Sequence, residues 1–160
     1  SCKRTHQKDV TYEMKTAIVY YSKHHGNTKK VVGAIKEKYP EIMLIDAEKV
    51  TGFDLDKYDL IGFASGIYAG KFHSSVTDFA KKNLPENKDV FLLFTYGFYM
   101  KSYTNAITQI LSEKSSHIRG AFSCEGYDTF GPLKLIGGIK KNKPDEKDIA
   151  VAIKFYESLL

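Results

Sequence analysis

The sequence predicts an α/β fold, a doubly wound five-stranded parallel sheet in the order 2-1-3-4-5 with helices on both faces. Short apolar runs alternate with segments of helical periodicity from Lys15 onward, which is the pattern of strand–helix–strand units. Three of the runs are nearly continuous in hydrophobicity, as strands covered on both faces should be. Right-handed crossovers then put every strand-to-helix loop on one edge of the sheet, and polar or aromatic glycine-containing segments recur where that edge should lie.

Residues 1–13 are polar, charged and aperiodic and are expected to be a flexible extension, native or added, with Met14 a natural starting point for a single domain spanning 14–160. The strands are expected at Ala17–Tyr21, Ile42–Ile45, Leu60–Ala64, Val90–Thr95 and Ile118–Cys124. Helices are expected over 27–38, 75–83, 102–114 and 146–159. Ser75 and Asp78 have capping-box-like spacing, and Ser102 offers a cap for the next helix. In the last helix Asp145, preceded by Pro144, can cap, while Ile149, Ile153, Tyr156 and Leu160 recur on one face.

A chain of 160 residues suffices for one domain with a full core. Its 42% hydrophobic and 27% charged content is that of a globular protein, and the longest apolar-rich run, Val90–Met100, is too short to span a bilayer. Cys2 and Cys124 match no metal-ligand spacing and no secretion signal opens the chain, so a cytoplasmic, reducing setting is expected. The +5 net charge comes without a dense basic block or a nucleic-acid motif, which argues against a nucleic-acid partner.

The stretch Ser22-Lys23-His24-His25-Gly26-Asn27-Thr28 joins the first strand to the first helix. Backbone N–H groups in such a turn, the positive end of the helix and the hydroxyls of Ser22 and Thr28 together suit an anion, phosphate above all. For the expected strand order this loop lies at the switch point, where connections leave strands 1 and 3 in opposite directions. Two further segments should border it, Ser65-Gly-Ile-Tyr-Ala-Gly-Lys-Phe72 and Tyr96-Gly-Phe-Tyr-Met-Lys101, read as loops. Their glycines admit close backbone approach, and Tyr68, Tyr96, Phe98, Tyr99 and Tyr103 offer faces for a flat conjugated ring. A ring with a phosphate tail meets both demands.

On these residues the chain resembles the flavodoxin family from Met14 to Leu160. The resemblance rests on the Ser-x-x-x-Gly-Asn-Thr loop, the Asp59–Tyr68 strand and loop, and the Val90–Thr95 strand with its following loop. The segment from Gly120 through Gly131-Pro132 to Gly137-Gly138 looks like a subgroup of bacterial flavodoxin-like proteins. The resemblance implies non-covalent FMN binding and electron transfer between redox partner proteins, a reductase and an acceptor. It implies that Ser22, His24, His25, Gly26, Asn27 and Thr28 hold the phosphate. Ser65, Gly66, Ile67, Tyr68, Ala69 and Gly70 would contact the flavin on one side, and Thr95, Tyr96, Gly97, Phe98, Tyr99 and Tyr103 its other side or edge. Gly66 or Gly70 would supply the peptide whose carbonyl meets reduced N5.

The chain departs from many electron-carrying flavodoxins in being basic, with Lys23, Lys71 and Lys101 in the site segments. Positive charge there should stabilise an anionic reduced flavin and raise its potential. Cys124 is read as a small buried hydrophobe of the fifth strand rather than a redox thiol. Tyr127, Asp128 and Thr129 should border the ligand edge, and His73 is read as exposed-loop material. The alternative is an FMN-dependent oxidoreductase acting on a quinone, porphyrinogen or similar small substrate. A magnesium-binding receiver domain fails for want of acidic residues after the first strand, and a P-loop nucleotidase for want of its glycine-lysine pattern.

Overall fold

The computed structural model describes residues 13–23, 26–126 and 142–160. The expected extension, His24, His25, Tyr127–Thr129 and the glycines at 131 and 137–138 therefore lie wholly or almost wholly outside the described residues.

The elements run β1 (Thr16–Tyr21), α1 (Asn27–Lys38), β2 (Met43–Asp46), β3 (Leu60–Tyr68), β4 (Lys71–Phe72), α2 (Ser74–Asn83), β5 (Asp89–Tyr96), a 3-10 turn (Lys101–Thr104), α3 (Asn105–Glu113), β6 (His117–Glu125) and α4 (Glu146–Ser158). The main sheet has the order β2-β1-β3-β5-β6, all parallel, which is the expected 2-1-3-4-5 sheet with one short antiparallel strand, β4, added beside β3.

Alternation along the strands divides the core in two. Ala17, Val19, Ile61, Phe63, Val90, Leu92 and Phe94 face α2 and α3, meeting Val76, Phe79, Ile107 and Leu111. Ile18, Leu60, Ala64, Phe91, Leu93, Phe122 and Cys124 face α1 and α4, meeting Val31, Val32, Ile35, Ala152 and Tyr156. The helix after β1 thus covers one face and the helix after β3 the other, so the loops leaving these neighbours part at the sheet edge.

Several expectations are corrected. The segment 65–72, read as a loop, is mostly strand: β3 continues to Tyr68, and its end folds back as a hairpin pairing Ile67 with Phe72 and Tyr68 with Lys71. Ala69 and Gly70 turn it with φ of 50° and 77°, both left-handed, as a two-residue hairpin twisted like its strands requires. Ser102 does not cap a helix but lies within the 3-10 turn; α2 is capped by His73 rather than started at Ser75, and α3 begins at Asn105. On α4, Leu159 is buried in place of Leu160, which is exposed. Asp145 does cap α4, in a reciprocal box with Asp148 at 3.0 and 2.9 Å.

Gly62, the third residue of β3, leaves room for Phe91 of β5: a Cβ there would stand 2.3 Å from the Phe91 ring. Gly62→Ala is therefore expected to destabilise the fold by about 1–3 kcal/mol through overpacking. A lowered urea midpoint checks this, and an unchanged midpoint contradicts it.

Candidate functional site

The anion loop ends at Gly26, which sits in the left-handed region (φ 66°, ψ 29°) and brings no side chain to cap α1. The first turn of α1 also carries no acidic residue, so nothing negative on that turn competes for the positive end of the helix. The N–H of Lys29 donates to Ser22 Oγ at 3.1 Å, which brings the first residue of the loop over the helix start. Thr28 is buried, and its hydroxyl shares a 3.0 Å hydrogen bond with that of Thr95 at the end of β5. Asn27 packs so closely on Gly126 that a Cβ there would lie 2.4 Å from its amide nitrogen. The start of α1 is thereby tied to the end of β5 and to the residue after β6.

The β3–β4 hairpin is tied to the same loop by a different contact. The Tyr68 hydroxyl accepts the N–H of Lys23 at 3.0 Å, and its ring packs edge-on against Tyr21 and His73, each at 5.3 Å. His73 stacks on Tyr21 with ring centres 3.6 Å apart and planes 9° apart. It also caps α2, its Nδ1 accepting the Ser75 N–H at 3.1 Å, which leaves the proton of the neutral ring on Nε2. His73 is thus half-buried rather than exposed-loop material, and burial lowers its pKa. Burial raises that of Tyr68. Ser65 is fully buried, its hydroxyl accepting the His73 N–H at 3.0 Å and donating to the Gly66 carbonyl. Gly66 is held opposite Thr95 in the ladder, whereas Ala69 and Gly70 stand exposed at the hairpin tip. Ile67 is half-buried against the α2–α3 core.

After β5 the chain is more open. Tyr96 is half-buried, while Phe98, Tyr99 and Met100 are 63%, 56% and 58% exposed. Tyr99 folds back to within 5.4 Å of Tyr96 and 6.4 Å of Phe94, ring centre to ring centre. Tyr103 is buried, and its hydroxyl donates to the Phe98 carbonyl at 2.6 Å, fixing the shape of the segment that contains Gly97. All the described members of the three expected segments therefore meet at the C-terminal edge of β1, β3 and β5.

Cys124 faces α4 from β6, and burial pushes its thiol up to about 12. It is a core residue. A cleft of about 390 Å³ beside it is bordered by Tyr96, Glu125, Lys143 and Asp148, and another of about 440 Å³ lies between α2 and α3, where Lys71 and Phe72 of the second segment line it with Asp78 and Glu113. Among the described residues no group of His, Cys, Asp and Glu could hold a metal ion, and no helix is long and apolar enough to cross a membrane. The Tyr21–Tyr68–His73 cluster escaped the sequence reading. Its one signal was Tyr-Ala-Gly-Lys, where a two-residue turn pairs Tyr68 with Lys71 and aims β3 back on itself.

The flavodoxin domain family matches residues 18–126. The uncharacterized protein MJ0298 of Methanocaldococcus jannaschii is 41% identical over 92% of this chain and 99% of its own length. That relative is archaeal, where the sequence resemblance pointed to a bacterial subgroup. Among solved structures, a flavodoxin from the domain Archaea superposes with a TM-score of 0.62 at 18% identity, covering 90% of this chain and 98% of its own. A Fusobacterium nucleatum flavodoxin bound to flavin mononucleotide gives 0.63 at 16% identity, covering 92% and 99%.

Tyr68→Phe removes the acceptor for the Lys23 N–H and is expected to cost about 1 kcal/mol, seen as faster amide exchange at Lys23; unchanged exchange contradicts the tie. In a Cys2→Ser background, Cys124 should alkylate roughly a thousandfold more slowly in the folded chain than in the unfolded one at pH 8. Because its folded pKa lies above the ordinary 9.0, its contribution to stability is complete below pH 9 and is lost as pH rises toward about 12. A flat stability profile above pH 9 in the same background, relative to Cys124→Ala, contradicts that assignment.

Proposed function

Because this chain belongs to the flavodoxin domain family, we propose that it is an electron-transfer protein that binds FMN non-covalently and exchanges electrons between redox partner proteins in a cytoplasmic setting. The observation that carries this reading is the acid-free start of α1, where Gly26 is left-handed and brings no capping side chain, with two aromatic or glycine-containing segments at the same sheet edge. It fits a group with a dianionic tail and a flat ring.

In this reading the phosphate is held by the backbone N–H groups at Gly26, Asn27 and Thr28 and by the hydroxyls of Ser22 and Thr28, together with His24 and His25 of the same loop. Thr28 shares its proton with Thr95 and Ser22 accepts from Lys29, so each hydroxyl is already oriented by a neighbour. The ring side is formed by Ser65, Gly66, Ile67, Tyr68, Ala69 and Gly70 on the hairpin, and by Thr95, Tyr96, Gly97, Phe98, Tyr99 and Tyr103 after β5. FMN, when bound, supplies exchange of one or two electrons through its ring. The chain's part is to orient that ring, exclude water from one face and tune its charge. Gly66 is fixed in the ladder, whereas Gly70 occupies open space at a turn. Gly70 is therefore the peptide free to turn a carbonyl toward a protonated ring nitrogen. The basic edge favours the negatively charged reduced ring and raises its potential.

The purified protein is expected to be yellow or to take up added FMN, and to be reduced through a separate reductase. A preparation that takes up no FMN overturns the proposal, and rapid turnover of NAD(P)H or a quinone by the isolated chain shifts it to an enzyme. Thr28→Val should weaken FMN binding by about 1–3 kcal/mol, because a hydroxyl donor to a charged acceptor is lost, while Thr28→Ser retains most of the affinity. Equal affinity of Val and wild type in a fluorescence titration means that the hydroxyl does not meet the phosphate.

A further inference from the structure

We infer that the rim made by Lys71, Phe98, Tyr99, Met100 and Lys101 is a docking face for an acidic protein; this rests on the electron-carrier reading and names the partner's chemistry. Among the described residues, three of the large apolar side chains that are exposed are consecutive, Phe98, Tyr99 and Met100, while the others, such as Met43, Ile118 and Val151, are scattered singly. Scattered apolar residues are ordinary on a surface, but a contiguous set marks a contact site. Its shape is fixed from beneath: Tyr103 holds the Phe98 carbonyl at 2.6 Å, and Tyr99 lies over Phe94, which packs 5.9 Å from Phe72. The patch is thus presented rather than collapsed into the core.

The charge of the three segments is one-sided, while Asp78 and Glu113 stand across the α2–α3 cleft that Lys71 also lines. None of the segments 22–30, 65–75 and 96–105 contains Asp or Glu, yet together they carry Lys23, Lys29, Lys30, Lys71 and Lys101. Lys23 is neutralised by Glu48 at 3.1 Å. Lys71 and Lys101 are exposed and form no ion pair among the described residues. They border one patch, because β4 packs against the 3-10 turn that Lys101 opens. An apolar centre with a charged, hydrated rim is the anatomy of a transient protein interface. The rim charge sets the partner, since carboxylates opposite these lysines speed encounter and basic partners are repelled. The patch is too small and too sparsely basic to favour a nucleic acid, which demands many phosphate contacts.

The test is titration of the FMN-loaded protein with two redox proteins of opposite charge, an acidic [2Fe–2S] ferredoxin and a basic cytochrome c, followed by amide chemical shifts. The ferredoxin is expected to bind at about 10 mM salt, to shift the amides of residues 70–72 and 98–102, and to be released by about 300 mM salt. With each protein fully loaded with FMN, Lys71→Glu/Lys101→Glu should weaken that binding about tenfold or more. Met100→Ser should weaken it several-fold at every salt concentration. Preferential binding of the cytochrome, binding of neither protein at low salt, tighter binding of a DNA oligomer, or indifference to the lysine reversals overturns the docking face. Failure to take up FMN at all overturns the carrier reading instead, so the two failures are distinct.

Discussion

The candidate site depends on the parallel pairing of β1 with β3, from Thr16 opposite Leu60 to Tyr21 opposite Ser65. These neighbours lie at the centre of the sheet, yet α1 returns over the face shared with α4 and α2 over the opposite one. Their loops must therefore diverge, and the divergence opens a crevice at the edge where α1 begins. No side chain at the site creates that crevice. Side chains decide only what it accepts.

Two hydrogen bonds hold the crevice walls in register. Thr28 to Thr95 links the start of α1 to the end of β5, and Lys23 to Tyr68 links the preceding loop to the hairpin. Both bonds join residues far apart in sequence, so each closes a segment on the main sheet. The ring stack of Tyr21 and His73 backs the second link with burial. A helix start held by such contacts keeps the backbone donors of its first turn aimed without a ligand, which lowers the entropy lost on binding. The exposed Phe98–Met100 segment contrasts with this: its backbone is held by Tyr103, but its side chains stay open to solvent.

The sheet order and all five main strands were legible because strand and helix periods differ and the alternation is regular. The strand-to-helix turn was equally legible, since Gly26-Asn27-Thr28 after an apolar run marks the start of a helix, and α1 begins at Asn27. The hairpin at 65–72 was not. Gly66 and Gly70 read as loop glycines, but Gly66 continues the ladder opposite Thr95 and only Gly70 turns. Periodicity cannot separate these cases, because the pairing that decides between them comes from β5 and β4. His73 was misread for the same reason: its burial comes from Tyr21, more than fifty positions earlier. The switch from Leu160 to Leu159 on α4 reflects helix phase, to which the last turn is most sensitive.

The basic edge separates this chain from strongly acidic electron carriers without altering the fold, because charge on exposed loops changes association more than packing. What the edge grips remains one chemical claim, that the start of α1 binds a phosphate. The most direct measurement is a paired fluorescence titration with FMN and riboflavin, which share the ring and differ in the phosphate. The account requires FMN to bind tighter by at least about tenfold, the worth of one charge-assisted hydrogen bond. Equal affinities for the two flavins would contradict it.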